Sequence, residues 1–240
     1  MILSVVAGLV VVAVVAFLLV ECEDETNAAC VIAVDAQGSS SPMTQVYQEW
    51  LPELAEHCAA EERARLSIAL ISGETRTGTV TPVTTDLRTL KDLKGNANHD
   101  AKIIEAEIAR VIDEANPRIL AAPEQHGGTD ILGTLCVAHD LLKGREKTTL
   151  IILSDAINNR APYVLTEAAL DAESIDRYVS ELGESGQLCD LTGTRVEMHG
   201  VGIGWDTGGM SSEQLAGVQR FWTAVITATG AELVAYQRNP

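Results

Sequence analysis

CVIAVDAQGSSSPM, residues 30–43, is the stretch on which the fold turns. Its first five residues are apolar, the sixth is Asp35, and a run of small hydroxyl-bearing side chains follows. A short buried strand therefore ends on a carboxylate and passes into a loop of hydroxyls, which is how a metal site is built at the edge of a sheet.

Two later stretches answer it. In HGGTDILGTL, residues 126–135, Gly127 and Gly128 deliver Thr129 to the start of an amphipathic helix. In TTLIILSDA, residues 148–156, an apolar strand ends at Asp155. Asp35, Ser39, Thr129 and Asp155 thus offer two carboxylates and two hydroxyls, each at a strand end or in a loop beside one. In an open α/β sheet ligands gather at such ends, and hard oxygen donors suit Mg²⁺, Mn²⁺ or Ca²⁺. Each residue also has an ordinary reading. Thr129 serves equally as a helix N-cap, Asp155 as a strand-end turn residue, and Ser41 before Pro42 as the cap of the next helix.

Outward from these points the pattern alternates. A helix runs from Ser41 to about Ala60 with Pro52 as a kink, and LSIALIS at 66–72 reads as a buried strand. Residues 74–97 are polar, with a short edge strand near Thr79–Val83 and a mobile charged segment, DLRTLKDLKG, after it. A helix over 99–116 stops at Pro117, and another opens at Thr129 and ends at Gly144. A loop with Asn158, Asn159 and Arg160 follows Asp155 and should line the rim of the same site. A helix over 165–182 comes next, then a strand, VEMHGVGIG, at 196–204. Its glycines do not form G-x-G-x-x-G, so no dinucleotide fingerprint is present. Ser211 with Gln214 makes a capping box for a helix closed by Gly230, and ELVAY at 232–236 is the last strand. The sum is an α/β fold: a doubly wound, mostly parallel sheet with helices on both faces.

Charge and cysteine usage exclude several classes. Seventeen Lys and Arg against thirty-four Asp and Glu give a formal net charge of −17, which argues against nucleic acid and anionic lipid head groups as partners. The five cysteines have no CxxC spacing and the five histidines no ligand spacing, so neither a zinc knuckle nor a redox dithiol is indicated. Cys30, Cys58 and Cys136 fall on apolar faces and read as buried thiols. Cys22 and Cys189 lie outside the predicted elements; one disulfide is plausible in an extracytoplasmic domain, with its pairing open. His126 is the histidine nearest the site in sequence and reads as a loop residue.

Residues 1–20, MILSVVAGLVVVAVVAFLLV, carry no charge and are long enough to cross a hydrocarbon core of about 30 Å. A single membrane-spanning helix is the direct reading. A cleaved signal peptide is the alternative, but the basic start and an A-x-A cleavage site are missing. Residues 21–29 form an acidic linker, and residues 30–240 form the folded domain. The first basic residue is Arg63, so charge does not orient the span; the domain is placed outside, as in other single-anchor proteins.

With its Asp35 loop, distant Thr129 and later Asp155, the chain resembles the von Willebrand factor A domain family from about Cys30 to its C-terminus. That family's metal-ion-dependent adhesion site uses a DxSxS loop, a threonine and a further aspartate. The resemblance puts its first aspartate at Asp35, its second serine at Ser39, its threonine at Thr129 and its last aspartate at Asp155. Gln37 stands where the family has the first serine, offering an amide oxygen on a longer arm; a second register would bulge the loop and use Ser41. The resemblance implies a Rossmann-like fold and a cation, Mg²⁺ or else Mn²⁺ or Ca²⁺, held by Asp35, Gln37, Ser39, Thr129 and Asp155. An acidic side chain of a protein partner would complete the coordination.

Three functions follow from this reading. The first is a membrane-anchored, non-enzymatic binding module that captures its partner through the cation. The second is a metal-free scaffold of a membrane-associated complex, if Gln37 disables the site. The third is a metal-dependent hydrolase, which lacks a second acid, lysine or histidine pair near Asp35; the D-x-D loop of aspartate-nucleophile phosphatases is broken by Gln37.

Overall fold

A computed structural model describes residues 27–60, 64–73, 75, 81–87, 97–122, 128–204 and 209–240. The apolar segment 1–20, most of the acidic linker, His126 and Gly127 lie outside the described residues. No helix among the described residues is long and apolar enough to cross a membrane.

The strand ending at Asp35 is β1 (Ala28–Asp35), buried along its whole length. A 3₁₀ turn, Gly38–Met43, leads into α1 (Thr44–Ala59). The chain continues through β2 (Ala64–Ile71), β3 (Val83–Leu87), α2 (Ala97–Ala121), α3 (Ile131–Leu142) and β4 (Lys147–Leu153). A two-stranded hairpin, β5 (Asn159–Arg160) with β6 (Tyr163–Val164), precedes α4 (Ala172–Glu184), β7 (Thr194–His199), α5 (Ser212–Ala228) and β8 (Glu232–Gln237).

Six strands form one sheet in the order β3-β2-β1-β4-β7-β8. Every pairing is parallel except that of β3 with β2. Parallel sheets need both faces covered, and β1 carries apolar side chains on both. Cys30, Ile32 and Val34 point into a core with Tyr47, Leu51, Leu54, Val111 and Ile119 from α1 and α2. Ala29, Val31 and Ala33 point into the other, with Ile131 and Leu135 from α3 and Phe221, Trp222 and Val225 from α5. The mixed α/β fold with a mostly parallel sheet is as expected.

Several local expectations change. Ser41 is not an N-cap: the turn begins at Gly38, and α1 starts at Thr44, whose hydroxyl donates to the Ser41 carbonyl at 2.8 Å. Helix α2 passes through Pro117 to Ala121, because Ile119 beyond the proline is fully buried and holds the last turn down. The edge strand lies at Val83–Leu87, several residues later than expected, and takes in the start of the charged segment. Helix α4 starts at Ala172 rather than 165, capped by Asp171, which accepts from the Ser174 amide. The capping box of Ser211 and Gln214 is present. Cys30, Cys58 and Cys136 are not thiols: Cys30 bonds Cys58, tying β1 to α1, and Cys136 bonds Cys189, tying α3 to the approach to β7. Spacing in sequence could not pair them, because the contacts that bring them together span 28 and 53 residues.

Candidate metal centre

Chain order sets where the site falls. From β1 the chain moves outward to β2 and β3, then returns to place β4 on the opposite side of β1 and continues to β7 and β8. The crevice between the carboxyl ends of β1 and β4 is therefore the topological switch point, where the following loops turn to opposite sides. Val34 pairs with Leu153, so Asp35 and the Ser154-Asp155 dipeptide emerge side by side.

Both carboxylates are buried, Asp35 completely. One oxygen of Asp35 accepts from the Gln37 amide and from the Thr129 hydroxyl, both at 3.2 Å; the other accepts from the Ser154 hydroxyl at 2.9 Å. Asp155 accepts the Ile157 amide at 2.9 Å, and its own amide donates to the Ser40 hydroxyl at 3.2 Å. Burial, and secondarily the charge of Asp155, push the Asp35 carboxyl up to about 7. Two buried carboxylates, the charge of one raising the ionisation of the other, are a liability that a divalent cation would relieve.

Thr129 is not the cap of α3. Asp130 does that work, accepting from the Gly133 amide at 2.7 Å, which leaves the Thr129 hydroxyl turned to Asp35. The preceding Gly128 sits at φ +75°, and a Cβ there would press on the side chains of Asn159 and Arg160. The loop is fixed from behind by the Asp130 amide, which donates to the Ser72 carbonyl at the end of β2.

Gln37 and Ser39 carry the decisive observation. Each is 3 % exposed, and neither the Gln37 amide oxygen Oε1 nor the Ser39 Oγ has a hydrogen-bond partner. Buried polar atoms almost always find partners, and leaving one unpaired costs about 1–3 kcal/mol. Two such oxygens in the loop after Asp35 fit the donor chemistry of a hard cation: two carboxylates with neutral hydroxyl and amide oxygens. Among the described residues no three His, Cys, Asp or Glu side chains converge as a metal cluster, so a cation here would lean on those neutral oxygens. Ser41 is only half-buried at the surface of the turn.

The loop after Asp155 is divided in its work. Asn158 is not at the rim: it is fully buried, its carbonyl oxygen accepts from the Ile131 and Leu132 amides, and its amide donates to the Arg160 and Tyr163 carbonyls at 2.7 Å each. It ties the hairpin to the start of α3. Asn159 and Arg160 do stand at the edge, with Asn159 accepting the Thr129 amide and its own amide donating to the Thr129 carbonyl at 3.1 Å.

Four contributors escaped the sequence reading. Ser40 and Ser154 brace the carboxylates. Gly204 lies so close to Asp155 that any Cβ would overlap its carboxylate. The Tyr47 side chain is buried under Gly200, and burial, then the charges of Asp35 and Asp155, push its ionisation up. Ser154 was the most legible, as a hydroxyl directly before a strand-end aspartate.

No family model and no curated protein matches the chain. Solved structures similar to it in fold include the human COPII-coat protein Sec24c, at 11 % identity, TM-score 0.41, and coverage of 90 % of this chain and 30 % of that one. Proximal thread matrix protein 1 from the mussel byssus aligns at 16 % identity and TM-score 0.40, covering 90 % of this chain and 42 % of that one. The D319A mutant of the PilB minor pilin from Streptococcus sanguinis aligns at 11 % identity and TM-score 0.45, covering 92 % and 58 %. This chain spans less than two thirds of each, and likenesses this distant say nothing of function.

Proposed function

We propose that this chain is a membrane-anchored binding module, not an enzyme, in which Asp35, Gln37, Ser39, Thr129 and Asp155 hold a divalent cation, Mg²⁺ or else Mn²⁺ or Ca²⁺. The cation keeps one position for an acidic side chain of a protein partner. The observation that carries this is the pair of buried, unpartnered oxygens on Gln37 and Ser39 beside two apposed carboxylates at the switch point. Neutral donors leave the cation more electrophilic than a third carboxylate would, which favours an incoming Asp or Glu. Residues 1–20 tether the domain, and two disulfides among the described cysteines favour an oxidising compartment, hence a domain outside the cytoplasm.

A metal-free scaffold is the second reading, and one feature favours it. The carboxylate of Asp35 is satisfied by Gln37, Thr129 and Ser154, so a proton could take the cation's place. Calorimetric titration of Mg²⁺ and Mn²⁺ into the full chain in non-ionic detergent, with Asp155→Ala as control, separates the two. Saturable binding lost in the variant supports the cation; no heat from either ion, with or without added carboxylate, sinks it.

A further inference from the structure

Arg160 is the residue the proposed site leaves unexplained. Its Nε is buried and has no hydrogen-bond partner, although the residue as a whole is half-buried at the rim. Acids outnumber bases two to one in this chain, and other arginines take them: Arg65 pairs with Asp86, Arg110 with Glu107 and Glu114, and Arg177 with Glu181. Arg160 pairs with none of the described residues. It is held in place all the same. Its carbonyl accepts from Asn158, and its Nε would lie 3.0 Å from a Cβ at position 128, so the glycine before Thr129 makes the room for it.

Charge counting gives this placement a purpose. Asp35 and Asp155 contribute −2 when ionised, and a divalent cation cancels them. A neutral site inside a chain of net charge −17 has little long-range pull on an acidic partner. A guanidinium at the rim makes the local sum positive. Its Nε–H and Nη–H form a planar fork matched to a carboxylate.

We propose that Arg160 is the specificity-determining residue of the site, donating from its guanidinium to the same carboxylate that fills the cation's open position. This rests on the cation reading above. An incoming carboxylate then has one oxygen for the cation and one for Arg160, while a neutral amide or hydroxyl gains only the first contact.

The test uses the full chain in detergent, loaded with Mn²⁺, with acetate as the probe and acetamide as its neutral counterpart. Displacement of Mn²⁺-bound water by acetate is followed through water-proton relaxation. In Arg160→Gln the acetate affinity should fall about tenfold, the worth of one charge-assisted hydrogen bond. Mn²⁺ affinity, acetamide binding and melting temperature should stay as in wild type. Arg160→Lys, which keeps the charge and loses the fork, should fall between. Acetate affinity within twofold of wild type in Arg160→Gln, or a fall in Mn²⁺ affinity itself, overturns the role of Arg160 and leaves the cation standing. Absence of Mn²⁺ binding in wild type, with or without acetate, overturns both.

Discussion

Replacing Asp35 by asparagine should stabilise the chelated protein at pH 8, although it removes a side chain with three hydrogen bonds. The reason lies in the sign of the ionisation. The folded carboxyl titrates at about 7 against an unfolded value of 3.8, so between these values the native state holds a proton that the unfolded chain has released. The stability linked to that proton is fully present below 3.8 and is lost as pH rises through 7. The whole shift is worth about 4 kcal/mol, and the part falling between pH 5 and pH 8 about 3 kcal/mol. For a domain of this size that is roughly 6–12 °C in Tm.

An asparagine carries no charge to desolvate and none to oppose Asp155. Its oxygen can still accept from Gln37 and Thr129, and the Ser154 hydroxyl can turn from donor to acceptor. Asp35→Asn should therefore lose the wild-type pH slope and exceed wild type by a few kcal/mol at pH 8 in chelator. Saturating Mg²⁺ should reverse the order by stabilising wild type alone. Guanidinium titrations read by tryptophan fluorescence give the comparison; one of the three tryptophans, Trp222, donates its indole N–H to the Ala156 carbonyl beside the site at 2.8 Å. If chelated Asp35→Asn is less stable than wild type at pH 8, the carboxylate pair stores no repulsion, and the electrostatic case for a cation fails.

Other substitutions test the supports. Gly204→Ala should push the Asp155 carboxylate aside, weakening Mg²⁺ binding at least tenfold by calorimetry while the circular dichroism spectrum is kept. Asn158→Ala removes the acceptor of two α3 amides and the donor to two hairpin carbonyls; a loss of about 2–4 kcal/mol in denaturant titration is expected, and a loss below 1 kcal/mol would mean water replaces the side chain readily. Removing the Cys136–Cys189 bond with paired serines reopens a 53-residue loop and should cost about 4 kcal/mol on the chain-entropy account, measured in the same titration.

How much of this was legible in the sequence depended on whether the information was local. The apolar run ending at Asp35, the run ending at Asp155 and the capping box of α5 announce themselves within a few residues, because period and punctuation are properties of neighbours. The mostly parallel sheet followed from the alternation of strands with helices. Pro117 misled because a tertiary contact, the burial of Ile119, overrode a local rule. The pairing of the disulfides, the role of Ser40 and that of Gly204 were invisible for a related reason: each matters through a partner tens of residues away. Thr129 shows the boundary most clearly. On sequence its hydroxyl had two equal claims on it, helix cap and site, and the choice turned on whether Asp130 would take the cap.

That division of labour between adjacent residues bears on Gln37. A serine there would bring its oxygen close to the main chain of the loop, whereas glutamine must extend its arm to present one. In a site built of short side chains such an arm needs room and a fixed direction. The structure gives Gln37 an extended backbone, with φ −117° and ψ 170°, just before the turn begins, while Gly38 follows at φ +53°. Its main-chain amide is spent on Asp35, so the backbone is pinned and the side chain alone remains to be satisfied. Gln37→Ser should therefore tighten Mg²⁺ if the amide oxygen is a poorly placed ligand, and weaken it if this loop is built around the longer arm. The buried position of Oε1, walled from solvent with nothing to accept from, argues for the second outcome: a loop that merely tolerated glutamine would have let the amide swing out into water. A Gln37→Ser variant binding Mg²⁺ several-fold more tightly than wild type would refute that argument.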